Sequence, residues 1–363
     1  MRKVLVTIGM FRWLVASTLL LACEPIVNTF NEVEEAVYYQ AAEIITPPET
    51  ADTLMVMNWN IKFGGGDLNF WFDCYGDRVL MTEEEVLTNL DSLVEKIRQV
   101  DPDIILLQEV DVEAKRVAYV DQMQYLLDHT DLNYGVYISE WDTQFIASDG
   151  IGRMDGEGNG ILSRWPFIEA KRIALPLRTD QDALTQYFYI RRGLLTAMVE
   201  LPGYDNFHVL TIHAAAFSQD GTKKKHIDIF NEELDKIDAT GGLFVAGGDL
   251  NTIPPGSQKL HDFKDSICEE EEFRGDDYQE ETEWLTGLYE SYHPAISLSD
   301  YQADNALYFS HSTNPRNGFT RKLDYLFTNS AWVTGSGYTH QEIVSVERAL
   351  SDHAPVSAQL VLP

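Results

Sequence analysis

Asn60, Glu109, Asp249, Asn251, Asp324, Asp352 and His353 each sit directly beside a hydrophobic, strand-like segment of this 363-residue chain. All but the histidine offer hard oxygen donors, a set that suits Mg²⁺ or Mn²⁺ rather than zinc. No HExxH, paired CxxC or histidine-rich tract competes with that reading. An ion held by such donors can polarise a phosphoryl oxygen, and a histidine beside a carboxylate can be fixed in one tautomer and favoured in its protonated form. Taken singly, each acidic residue reads as a cap, a turn former or a surface charge. Their common place at strand ends gathers them along one edge, where loops can form a cleft.

The elements that must position them are legible as hydrophobic patterns. Leu54 to Ile61 reads as a strand running into the loop Gly64-Gly65-Gly66. Val86, Leu90, Leu93, Val94 and Ile97 recur at helical spacing behind the acidic start Glu83 to Glu85, and Asp101-Pro102 stops that helix. Ile104 to Leu107 is a continuous apolar run, the mark of a strand buried on both faces, and its end presents Glu109. Further strands are expected at Gly160 to Ser163, Leu194 to Leu201, Phe207 to His213, Leu243 to Ala246, Lys322 to Thr328 and Pro355 to Leu362, with a helix from Thr222 to Ala239. Strands outnumber helices and often follow one another directly, which predicts an α+β protein of two packed sheets flanked by helices, not a doubly wound parallel sheet. One catalytic domain over 53–363 is expected, monomeric, with no internal repeat or low-complexity block.

The chain carries 58 acidic against 27 basic residues, a formal charge of −31. Such a surface repels polyanions and weighs against a nucleic-acid substrate, although a bound cation and a few arginines can reverse the potential inside one cleft. Arg2, Lys3 and Arg12 precede an apolar run from Trp13 to Ala22, the layout of a secretory signal and too short for a permanent span. The run ends in Leu20-Leu21-Ala22-Cys23, which resembles the bacterial lipobox; there the cysteine is acylated and becomes the mature N-terminus. This gives a lipoprotein signal over 1–22, a membrane anchor at Cys23 and a place at the cell envelope, with an ordinary signal cleaved near Ala22 as the alternative. Residues 23–52, polar and acidic with Pro47-Pro48, read as a tether containing a short helix from Glu32 to Ala42. An exported compartment permits a disulfide between Cys74 and Cys268.

The strings around these residues carry more information than the residues alone. The chain reads MNWNIKFGG around Asn60, LLQEV around Glu109, GNGILSRWPF around Ser163, TIHAA around His213, GGDLNTIP around Asp249, RKLDYLF around Asp324 and SDHAPVSAQL around His353. In identity and order they resemble the endonuclease/exonuclease/phosphatase family, which includes deoxyribonuclease I, from about residue 54 to the end. The resemblance implies a four-layer α/β/β/α sandwich of two mixed sheets. It implies a Mg²⁺ site at Asn60 and Glu109 with Asp352 facing the same ion, Mn²⁺ substituting, one or two ions being open. Asp249 and Asn251 match the pair that orients the attacking water and holds the phosphate. His353 matches the catalytic histidine, with Asp324 as its partner. His213 matches a second histidine that contacts the phosphate, the acid and base assignment being open. Arg192, in a stretch where relatives carry a phosphate-contacting arginine, and Asn159 are expected to bind substrate.

Three stretches depart from the pattern, the first being Ala214 to Phe217, which replaces the family's commoner leucine-aspartate continuation and puts substrate contacts there in doubt. Asn69 to Arg78, with Phe70, Trp71, Phe72, Cys74 and Tyr75, reads either as an aromatic patch at the cleft mouth or as a small satellite core. Glu269 to Glu283 reads as a solvated acidic insertion. The expected activity is hydrolysis of a phosphate mono- or diester, a small-molecule or lipid phosphate being favoured. A nuclease and a non-catalytic binding lipoprotein on the same fold are the alternatives.

Overall fold

The computed structural model of the chain describes residues 27, 29–49, 52–71, 73, 76–146, 150–216, 218, 220–263, 265, 277–345 and 348–363. Cys23, Cys74 and Cys268 lie outside these residues, and so do the expected signal segment and the lipidation and disulfide assignments. In chain order the strands are β1 (Val33–Glu35), β2 (Val37–Gln40), β3 (Thr53–Asn60), β4 (Ile104–Val110), β5 (Tyr134–Ile146), β6 (Gly150–Ser163), β7 (Phe167–Ala174), β8 (Gly193–Leu201), β9 (Tyr204–His213), β10 (Leu243–Asp249), β11 (His293–Pro294), β12 (Asp324–Thr328), β13 (Ala331–Trp332), β14 (Tyr338–Thr339) and β15 (Val356–Val361). The α-helices are α1 (Glu83–Val100), α2 (Gln122–Asp128), α3 (Ala183–Phe188), α4 (Thr222–Ala239), α5 (Thr286–Ser291) and α6 (Leu298–Ala303). Among the described residues none is long and apolar enough to cross a membrane.

Two sheets face each other. One has the order β1-β7-β8-β9-β10-β12-β11, the other β13-β15-β3-β4-β6-β5-β2, with β14 pairing to β15. Each is mixed, because β9 and β10 run parallel in the first and β3 and β4 in the second. The side-chain alternation of β4 explains its unbroken apolar run. Ile104 and Leu106 enter the core between the sheets, with Leu54, Val56, Leu195, Val199, Phe207 and Val209. Ile105 and Leu107 point the other way, under α1, against Leu90, Leu93 and Ile97. On the far side α4 covers Leu210, Ile212, Phe244 and Ala246 with Ile227, Phe230 and Leu234. The four layers implied by the sequence are present. Since a fully buried Leu, Ile or Phe side chain contributes roughly 1.5–3 kcal/mol, these three cores dominate the stability of the sandwich.

The helix ends are set by local chemistry. Thr82 and Glu85 form a reciprocal capping box at the start of α1, and Asp101 closes it in a left-handed conformation (φ 52°).

Two expectations are corrected. Glu32 to Ala42 is neither helix nor tether: β1 pairs antiparallel with β7, and β2 with β5, so the segment adds an edge strand to each sheet. Its valines gain little burial, with Val33 and Val37 more than half exposed, so backbone pairing with the two open edges is what recruits it. The C-terminal part of the acidic insertion is solvated only in part, with Asp277, Glu280 and Glu283 exposed. Tyr278 packs with Ile253, Phe263 and Leu323, and Glu281 forms a buried ion pair of 2.7 Å with Lys223 at the start of α4. The aromatic segment divides: Phe70 is buried edge-on against Phe63, while Trp71 is exposed.

Candidate active site

Strand register brings the expected residues together. Across β9, β10 and β12, His213 lies opposite Asp249 and Asp249 opposite Asp324. From the facing sheet, the adjacent ends of β3 and β4 bring Asn60 and Glu109 to the same edge. Beneath them Gln108 Nε2 donates to Asn58 Oδ1 (2.8 Å) and to Thr211 Oγ1 (2.7 Å), so a buried polar bridge fixes the spacing of the two sheets.

The GGD string has a steric cause. A Cβ on Gly247 would lie 2.1 Å from the carbonyl oxygen of Tyr325 in β12, and one on Gly248 (φ 141°) would lie 1.9 Å from that of Ile212 in β9. Only glycines let β10 approach both neighbours and end at Asp249. Glu109 lies in a bulge between Leu107 and Val110 with φ 52°, a conformation that costs a non-glycine residue roughly 1–2 kcal/mol and is maintained by its surroundings. Asn251 also has φ 50°, which its residue type tolerates; its N–H donates to Asp249 Oδ1 (2.9 Å) and its Nδ2 to the Ala214 carbonyl (3.1 Å).

The centre of the cluster is Asp249. Asn60 Nδ2 donates to its Oδ2 (3.2 Å) and to Glu109 Oε1 (2.9 Å). The same Asp249 oxygen lies 3.4 Å from His213 Nε2 and 3.5 Å from His353 Nε2. His353 Nδ1 lies 2.8 Å from Asp324 Oδ2, and the Trp59 indole donates to the His353 carbonyl (2.9 Å). Ser351 Oγ, bonded to the Asn60 carbonyl (2.8 Å), fixes the turn that carries Asp352 and His353.

The histidines have opposite electrostatics. Burial lowers the pKa of His353, but the Asp324 and Asp249 carboxylates outweigh it and raise it to about 10, so the ring is an imidazolium. His213 is pushed well below the ordinary value by burial and by Arg192 and His353. Arg192 NH1 lies 2.5 Å from His213 Nδ1. A guanidinium has no acceptor, so Nδ1 must be the acceptor and the ring proton resides on Nε2. Burial, with Glu157 and Asp352 nearby, raises the Glu109 carboxyl, and burial raises Asp249.

Arg192 and Asn159 stand in the wall of the cluster. Arg192 also contacts Glu140 Oε2 (3.0 Å) and Glu157 Oε1 (3.4 Å). Asn159 is fully buried, donating to Glu140 Oε1 (2.9 Å) and to the Gly193 carbonyl (3.1 Å). Sequence reasoning missed Glu140 and Glu157; an acidic residue inside an otherwise mixed strand gives no sign of its buried partner. It also passed over Lys62, whose Nζ lies 3.0 Å from Asp73 and 4.0 Å from Asp352, and His311, whose ring packs 4.3 Å from that of His353. Lys62 is two residues beyond Asn60 and His311 forms an isolated bridge with His353, so only proximity to known site residues marks either.

The donor set fits a hard divalent ion. Glu109 and Asp352 are partly open carboxylates; Asn60 turns Nδ2 to Glu109 while its Oδ1 accepts from the Lys62 N–H (3.0 Å), so it would offer an oxygen to an ion on exchanging the two by an amide flip, and the burial and neighbouring carboxylates that raise Glu109 are what a cation would offset. Among the described residues three groups also bring potential ligand atoms within 4.8 Å of one another: His311, Asp352 and His353; Glu140, Glu157 and His213; and Asp249, Asp324 and His353. In the last two the Nδ1 atoms of the histidines already face Arg192 and Asp324, which leaves the oxygen-rich Asn60, Glu109 and Asp352 edge as the better fit.

The Endonuclease/Exonuclease/phosphatase family model matches residues 57–353. No curated protein matches the chain. Among solved structures, an endonuclease/exonuclease/phosphatase from Beutenbergia cavernae is similar at 18% identity and TM-score 0.54, over 86% of this chain and 72% of that one. The human Nocturnin catalytic domain with bound sulfate has 15% identity and TM-score 0.54, over 89% and 96%. D. rerio TDP2 complexed with a single-strand DNA product has 17% identity and TM-score 0.53, over 85% and 99%. All share the two-sheet sandwich.

Proposed function

Because this chain belongs to the endonuclease/exonuclease/phosphatase family, we propose that it is a metal-dependent phosphoesterase that hydrolyses a small-molecule or lipid phosphate ester at the cell envelope. The observation that carries the reading is the convergence of His213 and His353 on one oxygen of Asp249, at the edge where Asn60 and Glu109 meet it from the other sheet.

In this reading water attacks phosphorus, the ester P–O bond breaks, and two protons are managed by groups already in place. Asp249, a stronger base than an ordinary carboxylate through burial, orients the water with Asn251 and takes up its proton. His353, a cation oriented by Asp324, holds a proton at Nε2 for the departing ester oxygen, which leaves as the alcohol. His213 donates a neutral Nε2–H to the phosphate, because Arg192 blocks protonation of its other nitrogen. Asn60, Glu109 and Asp352 would hold Mg²⁺, with Mn²⁺ as substitute, and the ion would supply charge neutralisation at the phosphoryl oxygens. Each proton-handling group contributes roughly 10²- to 10⁴-fold.

The anchor is proposed at Cys23, and Cys23→Ser should release the protein from membranes; unchanged membrane fractionation would count against acylation. For activity, the purified protein is assayed with and without Mg²⁺ on plasmid and single-stranded DNA, RNA, a soluble phosphodiester, inositol phosphates and phospholipid vesicles, with Asp249→Ala as blank. We expect ester hydrolysis that a chelator abolishes and Mg²⁺ restores. Chelator-resistant turnover sinks the metal assignment, and silence on every ester sinks the enzyme.

A further inference from the structure

The N-terminal segment enters the sandwich at its catalytic end. Val27 bridges Thr143, three residues beyond Glu140 on β5 and so roughly 10 Å along the strand from the carboxylate that carries Arg192. Ala174 then donates its N–H to the Glu32 carbonyl, and Val33 pairs with Ile173, again at the end of β7 where β8 begins with Gly193. From there β1 and β2 run away from the cleft, Val37 pairing with Tyr137 and Gln40 with Tyr134. Whatever holds the chain before Val27 therefore holds it beside the cleft. Cys23 precedes Val27 by four residues, at most about 14 Å of extended chain, so a lipid there brings a membrane to this end and no other.

The same rim exposes apolar side chains. Helix α3 leads directly to Arg191 and Arg192, and it is tied to β5 by the Trp141 indole, which donates to the Phe188 carbonyl (2.8 Å). Leu184 on this helix is 71% exposed, and Tyr187, one turn on along the same face, is 44% exposed. Across the cleft Trp71 is 46% exposed, in the segment whose Asp73 pairs with Lys62 beside Asp352. Leucine, tyrosine and tryptophan at a rim suit the boundary between headgroups and hydrocarbon. A net charge of −31 favours a zwitterionic surface over an anionic one.

We propose that the catalytic end of the sandwich docks on a zwitterionic phospholipid bilayer, with α3 and the Trp71 segment in contact with it, so that the cleft receives phosphate esters from the headgroup layer. The substrate half of this proposal rests on the phosphoesterase reading; the docking half rests on the geometry of the N-terminal segment and the rim, together with the anchor proposed at Cys23.

The test uses the full chain in phosphatidylcholine vesicles doped with a photoactivatable phosphatidylcholine. Cross-links should fall in peptides covering 178–192 and 67–81. Cross-links confined to other surfaces, or none in these peptides, overturn the docking. The double variant Leu184→Glu, Tyr187→Glu, altered only at exposed positions, should lose at least tenfold in hydrolysis of vesicle lipid and keep its turnover of a soluble phosphodiester. Equal turnover of vesicle lipid by variant and wild type, an equal loss on both substrates, or a wild type that cleaves the soluble ester and not the vesicle lipid overturns the proposal. If the wild type cleaves neither, the phosphoesterase reading fails, and the cross-link map still decides the docking.

Discussion

His353 and His213 approach the same Asp249 oxygen, at 3.5 and 3.4 Å, but their far nitrogens meet partners of opposite charge: Asp324 at 2.8 Å and Arg192 at 2.5 Å. The carboxylate makes one ring a cation, and the guanidinium keeps the other neutral with its proton on Nε2. Two buried imidazoles a few ångströms apart thus do different work, because a partner on the side away from the substrate sets the state of each. In the proposed mechanism this difference would divide the acid and base roles, which the sequence leaves open.

Removing the cationic member should have the largest effect. His353→Ala should lower kcat/KM by roughly 10³-fold or more with the fold intact by circular dichroism, and less than tenfold would deny the ring its proton-handling role. Asp324→Asn removes the main support of the imidazolium, so the pKa falls and the alkaline limb of the kcat profile moves to lower pH. An unmoved limb breaks the assignment.

The neutral member is tested through its partner. Arg192→Met leaves Glu140 buried without its cation and should cost about 3–5 kcal/mol of stability in denaturant titration. Arg192→Lys should retain much of that stability while losing activity, since a shorter, flexible side chain restores the charge but does not hold a planar N–H at the place where NH1 meets His213 and two carboxylates. Full activity in the lysine variant would show that the guanidinium geometry does not matter.

The smallest effects are in stability against pH, measured by thermal melts in chelator. His353 has a folded pKa of about 10, above its unfolded value near 6.5, so its contribution is complete below pH 6.5 and is lost as pH rises toward 10. His226, lowered to about 4 chiefly by burial, shows the opposite sign: the unfolded chain takes up a proton first, and stability falls as pH drops from 6.5 to 4. Each slope is at most about 1.4 kcal/mol per pH unit. His226→Gln should reduce the slope on the acid side and His353→Gln that on the alkaline side, the remainder coming from groups such as His213, His311 and Glu109.

The parts of the molecule that sequence made legible are those where one residue's environment is set by its own strand or helix. Ile104 to Leu107 declares a doubly buried strand, and Glu83 to Glu85 declares a helix start, because burial and capping act within a few residues. The site strings are readable because strand ends and close strand approach demand particular residues, as the two glycines before Asp249 show. Pairings made across the fold leave no such trace. Glu140 lies in a strand of mixed polarity, and nothing nearby announces Arg192, Asn159 and the Gly193 N–H as its partners. Lys223 and Glu281 likewise meet only after α4 and the acidic insertion have packed. The edge strands β1 and β2 were hidden because edge strands half open to water need no burial pattern.

That edge segment also shields the sandwich from other copies of itself. Without β1 and β2, β7 and β5 would each present a row of unpaired backbone groups, one on each sheet. Detachment of this one segment therefore opens both sheets at once, and the bared edges of β5 and β7 are where a second chain could pair.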